Sequence, residues 1–230
     1  MRFGQRLTPA VTWLIAATVA CFLVFAFSGA AARATLMRWL VLTPGSLLEG
    51  HVWKLATTAF FAVNPLAFIL DVAILWMFMP FLEREWGTRR FLRFAAITTL
   101  VGFIVGAGLG LLLSGSFATL PITGMGPFVY GALIGYGVAF GDRDVQFFGV
   151  LPMKGRTLAI GISVVVVLAT VLNRDWLEGA ANIAGMLTAV ALTSRNLTPR
   201  LWILQWRRNR LRKKFKVLGG GSADKKQWLN

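Results

Sequence analysis

Six long apolar stretches dominate this sequence, and they restrict the chain to folds that form in a lipid bilayer. A helix needs about 20 mostly apolar residues to cross the hydrocarbon core. The stretches that approach this length are residues 9–27, 54–81, 91–113, 124–140, 156–172 and 179–197. Charged residues make up only 14% of the chain, against about a quarter in soluble domains. We therefore predict an all-α integral membrane protein whose six transmembrane helices occupy residues 1–198.

Basic residues are distributed unevenly between the two ends of these stretches, and this distribution predicts the orientation. One side receives most of the Lys and Arg, whereas the other side receives only Arg33, Arg38, Lys54 and Arg174. Cytoplasmic loops of membrane proteins collect basic residues. Both termini are therefore predicted to be cytoplasmic, in a multi-pass protein of the cell inner membrane. The same bias accounts for much of the net charge of +15, so this charge does not by itself indicate nucleic acid.

The last part of the chain, residues 199–230, is predicted to be a basic cytoplasmic tail. Its aromatic and apolar residues alternate with Arg207, Arg208, Arg210, Arg212, Lys213, Lys214 and Lys216. A basic helix of this kind is attracted to anionic headgroups, where each charge contributes about 1 kcal/mol. We predict that the tail binds anionic lipids. RNA ranks lower as a partner because the sequence contains no recognisable RNA-binding module.

Small residues recur every four positions in three of the apolar stretches. They are Gly102, Gly106 and Gly110, then Gly131 and Gly135, and finally Ala181, Gly185 and Ala189. Small residues at this spacing let two helix backbones approach closely in a membrane. We expect the third, fourth and sixth apolar helices to pack tightly against one another.

Histidine and cysteine each occur once, which limits the chemistry available to the chain. Cys21 lies inside the first apolar stretch, so no disulfide can form within the chain and no Cys-rich metal site can be built. His51 lies in the predicted external loop before the second stretch. Histidine is the usual general base for an activated serine. We predict no cofactor and no metal site.

Several short segments, taken together, resemble the rhomboid-like superfamily. They are HVWKL at 51–55, EREWGTRRF at 83–91, GMGPFVYGAL at 124–133 and, more weakly, FGVLPM at 148–153. They occur in the order that the family shows, and the resemblance covers about residues 41–198. It implies a rhomboid-like bundle of six helices. A shared fold does not carry activity with it.

The resemblance also implies where a protease of this family would hold its catalytic groups. The serine opens the fourth helix, the histidine lies in the sixth, and polar side chains of the second stabilise the oxyanion. The corresponding positions here are Gly126, Asn182, and the pair Ala67 and Asp71. Glycine has no nucleophile, and an asparagine amide does not titrate. We therefore predict a pseudoprotease with no catalytic residues, and not an enzyme.

Asp71 and Asn182 are the remaining candidate binding residues. A carboxylate in the middle of a membrane costs about 2.5–3.5 kcal/mol on insertion scales, so such residues usually face a protein interior or a wet cavity. If the family arrangement holds, both side chains and Gly126 lie at one cavity, and we predict that Asp71 contacts Asn182. The alternative is a protonated Asp71 that only hydrogen-bonds a neighbouring helix.

These observations favour a protein that binds or scaffolds other membrane proteins without cutting them, including as a subunit of a larger membrane complex. One alternative is an intramembrane serine protease that uses a non-standard dyad. Another is a protein that moves lipids or solutes through the cavity, for which Asp71 is the only indication. The nature of the partner is not encoded in any motif of this sequence.

Overall fold

The structure is a computed structural model, and it describes residues 7–113, 115–141, 144–147 and 151–194. All of these residues belong to one structural unit, Met1–Ser194. The predicted basic tail at 199–230 and its boundary with the membrane domain lie outside the described residues, as do the seven Arg and Lys residues assigned to lipid binding.

The described part of the chain is almost entirely helical. Its α-helices are α1 (Pro9–Phe27), α2 (Ala30–Leu40), α3 (Pro44–Leu48), α4 (Lys54–Thr57), α5 (Pro65–Trp86), α6 (Thr88–Leu113), α7 (Gly126–Ala139), α8 (Gly155–Asn173) and α9 (Trp176–Thr193). Two single 3-10 turns follow α4 and α6, at Thr58–Phe60 and Gly115–Thr119. An antiparallel hairpin of β1 (Asp144–Phe147) and β2 (Leu151–Lys154) connects α7 to α8.

Each of the six predicted apolar stretches contains a helix in its described part, which confirms the all-α membrane fold. Within the described residues, α1, α5, α6 and α8 are long and apolar enough to cross a bilayer by length and composition. The other two, α7 and α9, have 14 and 18 residues, and they pack against each other in the interior. Helix α7 is mostly buried by its neighbours, whereas α9 also exposes Leu187 and Leu192 on its outer face.

The second apolar stretch differs from its predicted form. It was expected as one helix over 54–81, but the membrane helix α5 begins only at Pro65. The residues before it form the single helical turn α4, a 3-10 turn and an extended residue, Phe61. Asn64 accounts for the new start, because its side chain accepts a hydrogen bond of 2.9 Å from the Leu66 amide. Proline suits the first helical position, where its missing N–H is not needed. The break places Asn64 at the mouth of the cavity described below.

Glu83, near the end of α5, holds the start of α1 and the start of α6 together. Its carboxylate accepts hydrogen bonds from the backbone amides of Ala10 at 3.2 Å and Val11 at 3.1 Å, and from the Thr88 hydroxyl at 2.7 Å. Amides in the first turn of a helix have no partner within the helix, and a negative charge there is favourable. Glu83 is only 2% exposed, so a buried carboxylate caps a helix distant in sequence.

The loop that leads into α7 is fixed by two segments from earlier in the chain. The Thr58 hydroxyl donates to the Ile122 carbonyl at 2.6 Å and accepts from the Leu42 amide at 3.2 Å. Leu42 and Ile122 also form an antiparallel bridge, with an amide-to-carbonyl bond of 2.8 Å. Shortly afterwards the Gly124 amide donates to the Phe61 carbonyl at 2.8 Å. These bonds determine where α7 begins.

The small residues lie at the closest helix contacts, as predicted. A Cβ atom on Gly102 would lie 2.7 Å from the Ala181 carbonyl oxygen of α9, and one on Gly131 would lie 3.1 Å from the Gly185 oxygen. Pro127 fills the space between Gly102 and Gly185, since added Cβ atoms there would meet its ring or backbone at 2.6 and 2.8 Å. Helices α6, α7 and α9 therefore form the tightly packed centre of the described unit.

Candidate functional site

The first turn of α7 lies directly against the first half of α9, and this contact brings two of the predicted positions together. A Cβ atom on Gly126 would lie 3.0 Å from Cγ and 3.2 Å from Nδ2 of Asn182, with Oδ1 closer still. The residue in the nucleophile position of the rhomboid pattern therefore faces the residue in the base position. The contact is possible because Gly126 has no side chain.

All four positions named from the resemblance line one cavity of about 250 Å³. Ala67 and Asp71 reach it from α5, Gly126 from α7 and Asn182 from α9. The opposite wall is formed by Val166, Ala169, Thr170 and Asn173 of α8. Thr123, in the predicted external loop before the fourth stretch, and Asn64, the capping residue of α5, line it as well, so the cavity reaches that end of the bundle.

Asp71 is 8% exposed and has no ion-pair partner among the described residues. It lies beside the segment that enters α7, close to the backbone amide of Met125. Gly124 passes it with a φ of +86°, a left-handed conformation that glycine adopts without strain, and a Cβ there would lie 3.9 Å from Asp71 Oδ2. No described side chain donates a hydrogen bond to this carboxylate.

Asp71 and Asn182 share the cavity but do not hydrogen-bond to each other in the described structure. We predicted a contact between them on the ground that each would otherwise lack a partner. The Asn182 amide instead lies over Gly126, and Asp71 lies beside the chain that precedes α7. The two side chains therefore offer separate polar groups to the same space.

Two acidic residues at the start of α9 also line the cavity, and our sequence reasoning missed both. Glu178 Oε1 accepts from the Thr123 hydroxyl at 2.8 Å and from the Thr123 amide at 3.0 Å, which joins the loop before α7 to α9. Asp175 precedes the first residue of α9. The signal was available, since the chain has only nine acidic residues and these two flank the start of an apolar helix.

The polar side chains of the described lining are hydroxyls, amides and carboxylates, with no basic side chain among them. None of the described residues that line the cavity is a serine, cysteine, histidine, lysine or arginine. His51 lies elsewhere, 3.2 Å from a Glu49 carboxylate oxygen and against the ring of Trp53. The described residues contain no cluster of three His, Cys, Asp or Glu side chains that could hold a metal ion.

A family model for a eukaryotic integral membrane protein family (DUF1751) matches residues 13–192. The chain belongs to this family. The matched region runs from within α1 to within α9 and includes every cavity residue named above. No curated protein matches the chain. The family identity establishes a multi-pass integral membrane protein, and its description assigns no activity.

Proposed function

We propose that this chain is a catalytically inactive, rhomboid-like membrane protein that binds other membrane proteins through its cavity. The observation that carries the proposal is the contact between Gly126 and Asn182. The helices have the arrangement that would bring a nucleophile to a base, but neither residue can take part in proton transfer or attack.

The two threonine hydroxyls at the cavity also support the absence of a protease. Thr170 donates to the Val166 carbonyl of its own helix at 2.8 Å. Thr123 does contact a carboxylate, Glu178, but the same oxygen accepts the Thr123 backbone amide. This pair fastens a loop to a helix, and no histidine or lysine among the described lining residues could act as a base for it. The alternative, a protease with a non-standard dyad, finds little support here.

The walls of the cavity suggest how a membrane segment would reach it. Helix α5 packs on α1, α6 and α7, whereas α8 packs on α7 and α9. Helices α5 and α8 lie on two sides of the cavity, and in the described structure they are not extensively packed against each other. A side chain of a neighbouring transmembrane helix would therefore enter between Ala67 on α5 and Ala169 on α8.

Site-specific photo-crosslinking in native membranes tests this proposal. A benzoylphenylalanine at Ala169 is expected to crosslink a full-length membrane protein, and Ala67→Trp, which narrows the cavity, is expected to abolish the product. A probe at Leu112 is the control, because that residue is 84% exposed on α6 and outside the cavity. Equal products from both probes, or no effect of Ala67→Trp, would refute binding through the cavity.

The absence of proteolysis is tested separately with purified protein. A model transmembrane substrate is expected to remain intact, and a serine-directed probe is expected to leave the chain unlabelled. Cleavage that is lost in Thr123→Val or in any serine-to-alanine variant would overturn the proposal.

The proposal includes the inner membrane as the location, cytoplasmic termini, and anionic lipids as partners of the basic tail. Nucleic acid is not proposed as a partner. Reporter fusions at residue 230 and within α2 are expected to report opposite sides of the membrane, and signals from the same side would refute the orientation. Removal of 199–230 is expected to reduce binding to vesicles that contain anionic lipid but not to neutral vesicles.

A further inference from the structure

We propose that the cavity binds a positively charged nitrogen, an ammonium or guanidinium group, carried by a basic residue in the membrane segment of a partner. That the carrier is a protein rests on the proposed function above. The preference for a cation rests on the cavity alone.

The charges that line the cavity all have one sign. Three carboxylates, those of Asp71, Asp175 and Glu178, reach it, and none of its described lining residues is basic. This is unexpected in a chain with a net charge of +15. Arg174 is next to Asp175 in sequence and lines a neighbouring cleft that Asp175 and Glu178 also reach, but it forms no ion pair with these carboxylates in the described structure. Asp71 lines only the first cavity, so among the described residues it has no cation beside it.

Asp71 provides the second, independent observation. It is more than nine-tenths buried within a membrane helix and faces the cavity, where its polar neighbours are the Met125 backbone amide, the Tyr130 side chain and the Glu178 carboxylate, none of which is a cation. Taking a carboxylate out of water is costly unless a charge of opposite sign and further hydrogen bonds compensate it. The described chain offers no such charge, so a cation from outside would complete the site.

Neutral acceptors around the carboxylates match the same ligand. The Asn182 amide lies beside Gly126, and Asn64 and Asn173 line the cavity nearer its mouth. An ammonium has three donors and no acceptor, and a guanidinium has five donors, so both suit a lining rich in carboxylate and amide oxygens. Glu178 still has one carboxylate oxygen that does not bond Thr123.

Size and spacing favour an organic cation on a side chain. The volume of about 250 Å³ is below the range of roughly 300–1,000 Å³ that is typical of pockets for drug-sized ligands. It has room for one long side chain but not for a folded segment. The carboxylates are also too dispersed to form a metal-binding cluster among the described residues.

Binding of matched peptides to the full-length protein in nanodiscs tests the inference. One probe is a Leu/Ala transmembrane peptide with a single Lys near its external end, and the other has Met in place of the Lys. The Lys peptide is expected to bind at least about tenfold more tightly to the wild type. In Asp71→Asn/Glu178→Gln the difference is expected to fall below about twofold, because each substitution removes the charge and keeps one acceptor oxygen, while the other oxygen becomes an NH₂ donor. Glu49→Gln is the control, since that carboxylate lies outside the cavity.

A free amine distinguishes a cation carried by a protein segment from a cation on a small molecule. Butylammonium is added to the wild type and the double variant, and the thermal midpoint is measured. Stabilisation of the wild type alone, together with preference for the Lys peptide, supports the inference. Equal binding of the Lys and Met peptides would overturn the cation preference and leave the proposed function standing. Stabilisation by butylammonium without binding of either peptide would refute the protein carrier and the proposed function, but not the cation preference. No response to any probe would overturn the inference entirely.

Discussion

Replacement of Glu83 is expected to be one of the most destabilising single changes in the described membrane domain. Its carboxylate accepts two helix-terminal amides at 3.1–3.2 Å and the Thr88 hydroxyl at 2.7 Å, and it is 2% exposed. A hydrogen bond to a charged group contributes about 1.5–3 kcal/mol, and a buried donor left without a partner costs about 1–3 kcal/mol. Because the three bonds share one carboxylate, their contributions do not add fully. We expect Glu83→Ala to lower the free energy of unfolding by about 3–5 kcal/mol.

Glu83→Gln is the more informative variant, because it preserves size. Its single oxygen can still accept one helix amide and Thr88, but its NH₂ group must face the other amide, donor against donor. The expected loss is about 2–3 kcal/mol, measured by equilibrium unfolding in mixed micelles of mild detergent and dodecyl sulfate. Glu85→Gln is the control, since Glu85 is exposed two residues further along the same helix. If Glu83→Gln and Glu85→Gln unfold at the same point, the capping role is refuted.

Two matched pairs test the packing and the loop that position α7. Gly106→Ala is expected to destabilise the protein by about 1–3 kcal/mol, because its Cβ would lie 2.8 Å from the Leu177 carbonyl, whereas Gly108→Ala should be neutral or stabilising since nothing lies within 4 Å. Equal unfolding of the two variants would contradict the packing. Thr58→Val is expected to cost about 2–4 kcal/mol because two buried backbone groups lose their partner. Thr57→Val is expected to cost only about 0.5–1.5 kcal/mol because the bond that it loses, to the Leu40 carbonyl, is only partly buried. Thermal unfolding in detergent measures this second pair, and the reverse order would refute the role of Thr58.

Much of the helical framework could be predicted from the sequence, because the bilayer makes apolar length a strong signal. The first predicted stretch, 9–27, has the bounds of α1, and the small-residue repeats identified the closest helix pairs. The start of α5 could not be obtained from hydropathy, since residues 54–64 are almost as apolar as the helix that follows. The Asn64–Pro65 pair carried the correct signal, a side-chain cap followed by proline.

The candidate site was predicted in part. The motif order placed Gly126 opposite Asn182 and brought Ala67 and Asp71 to the same cavity, which the structure also shows. Individual contacts could not be predicted, because they depend on offsets of a few ångströms between helices. For that reason the expected hydrogen bond between Asp71 and Asn182 is absent from the described structure, and Glu178 was overlooked. Its bonds to Thr123 join residues that are 55 positions apart.

The packing residues and the cavity residues of this chain are largely different sets, and the difference bears on function. Gly102, Pro127 and Gly185 interlock the central helices by shape alone, so they maintain the bundle whatever lines the cavity. Asp71 contributes no comparable contact, and a buried charge without a partner opposes folding. An apolar residue of similar size at position 71 would stabilise the domain more. A carboxylate held there at a cost to stability is therefore best explained by a ligand that binds it, and Asp71→Leu is expected to raise the free energy of unfolding while abolishing the preference for the Lys peptide.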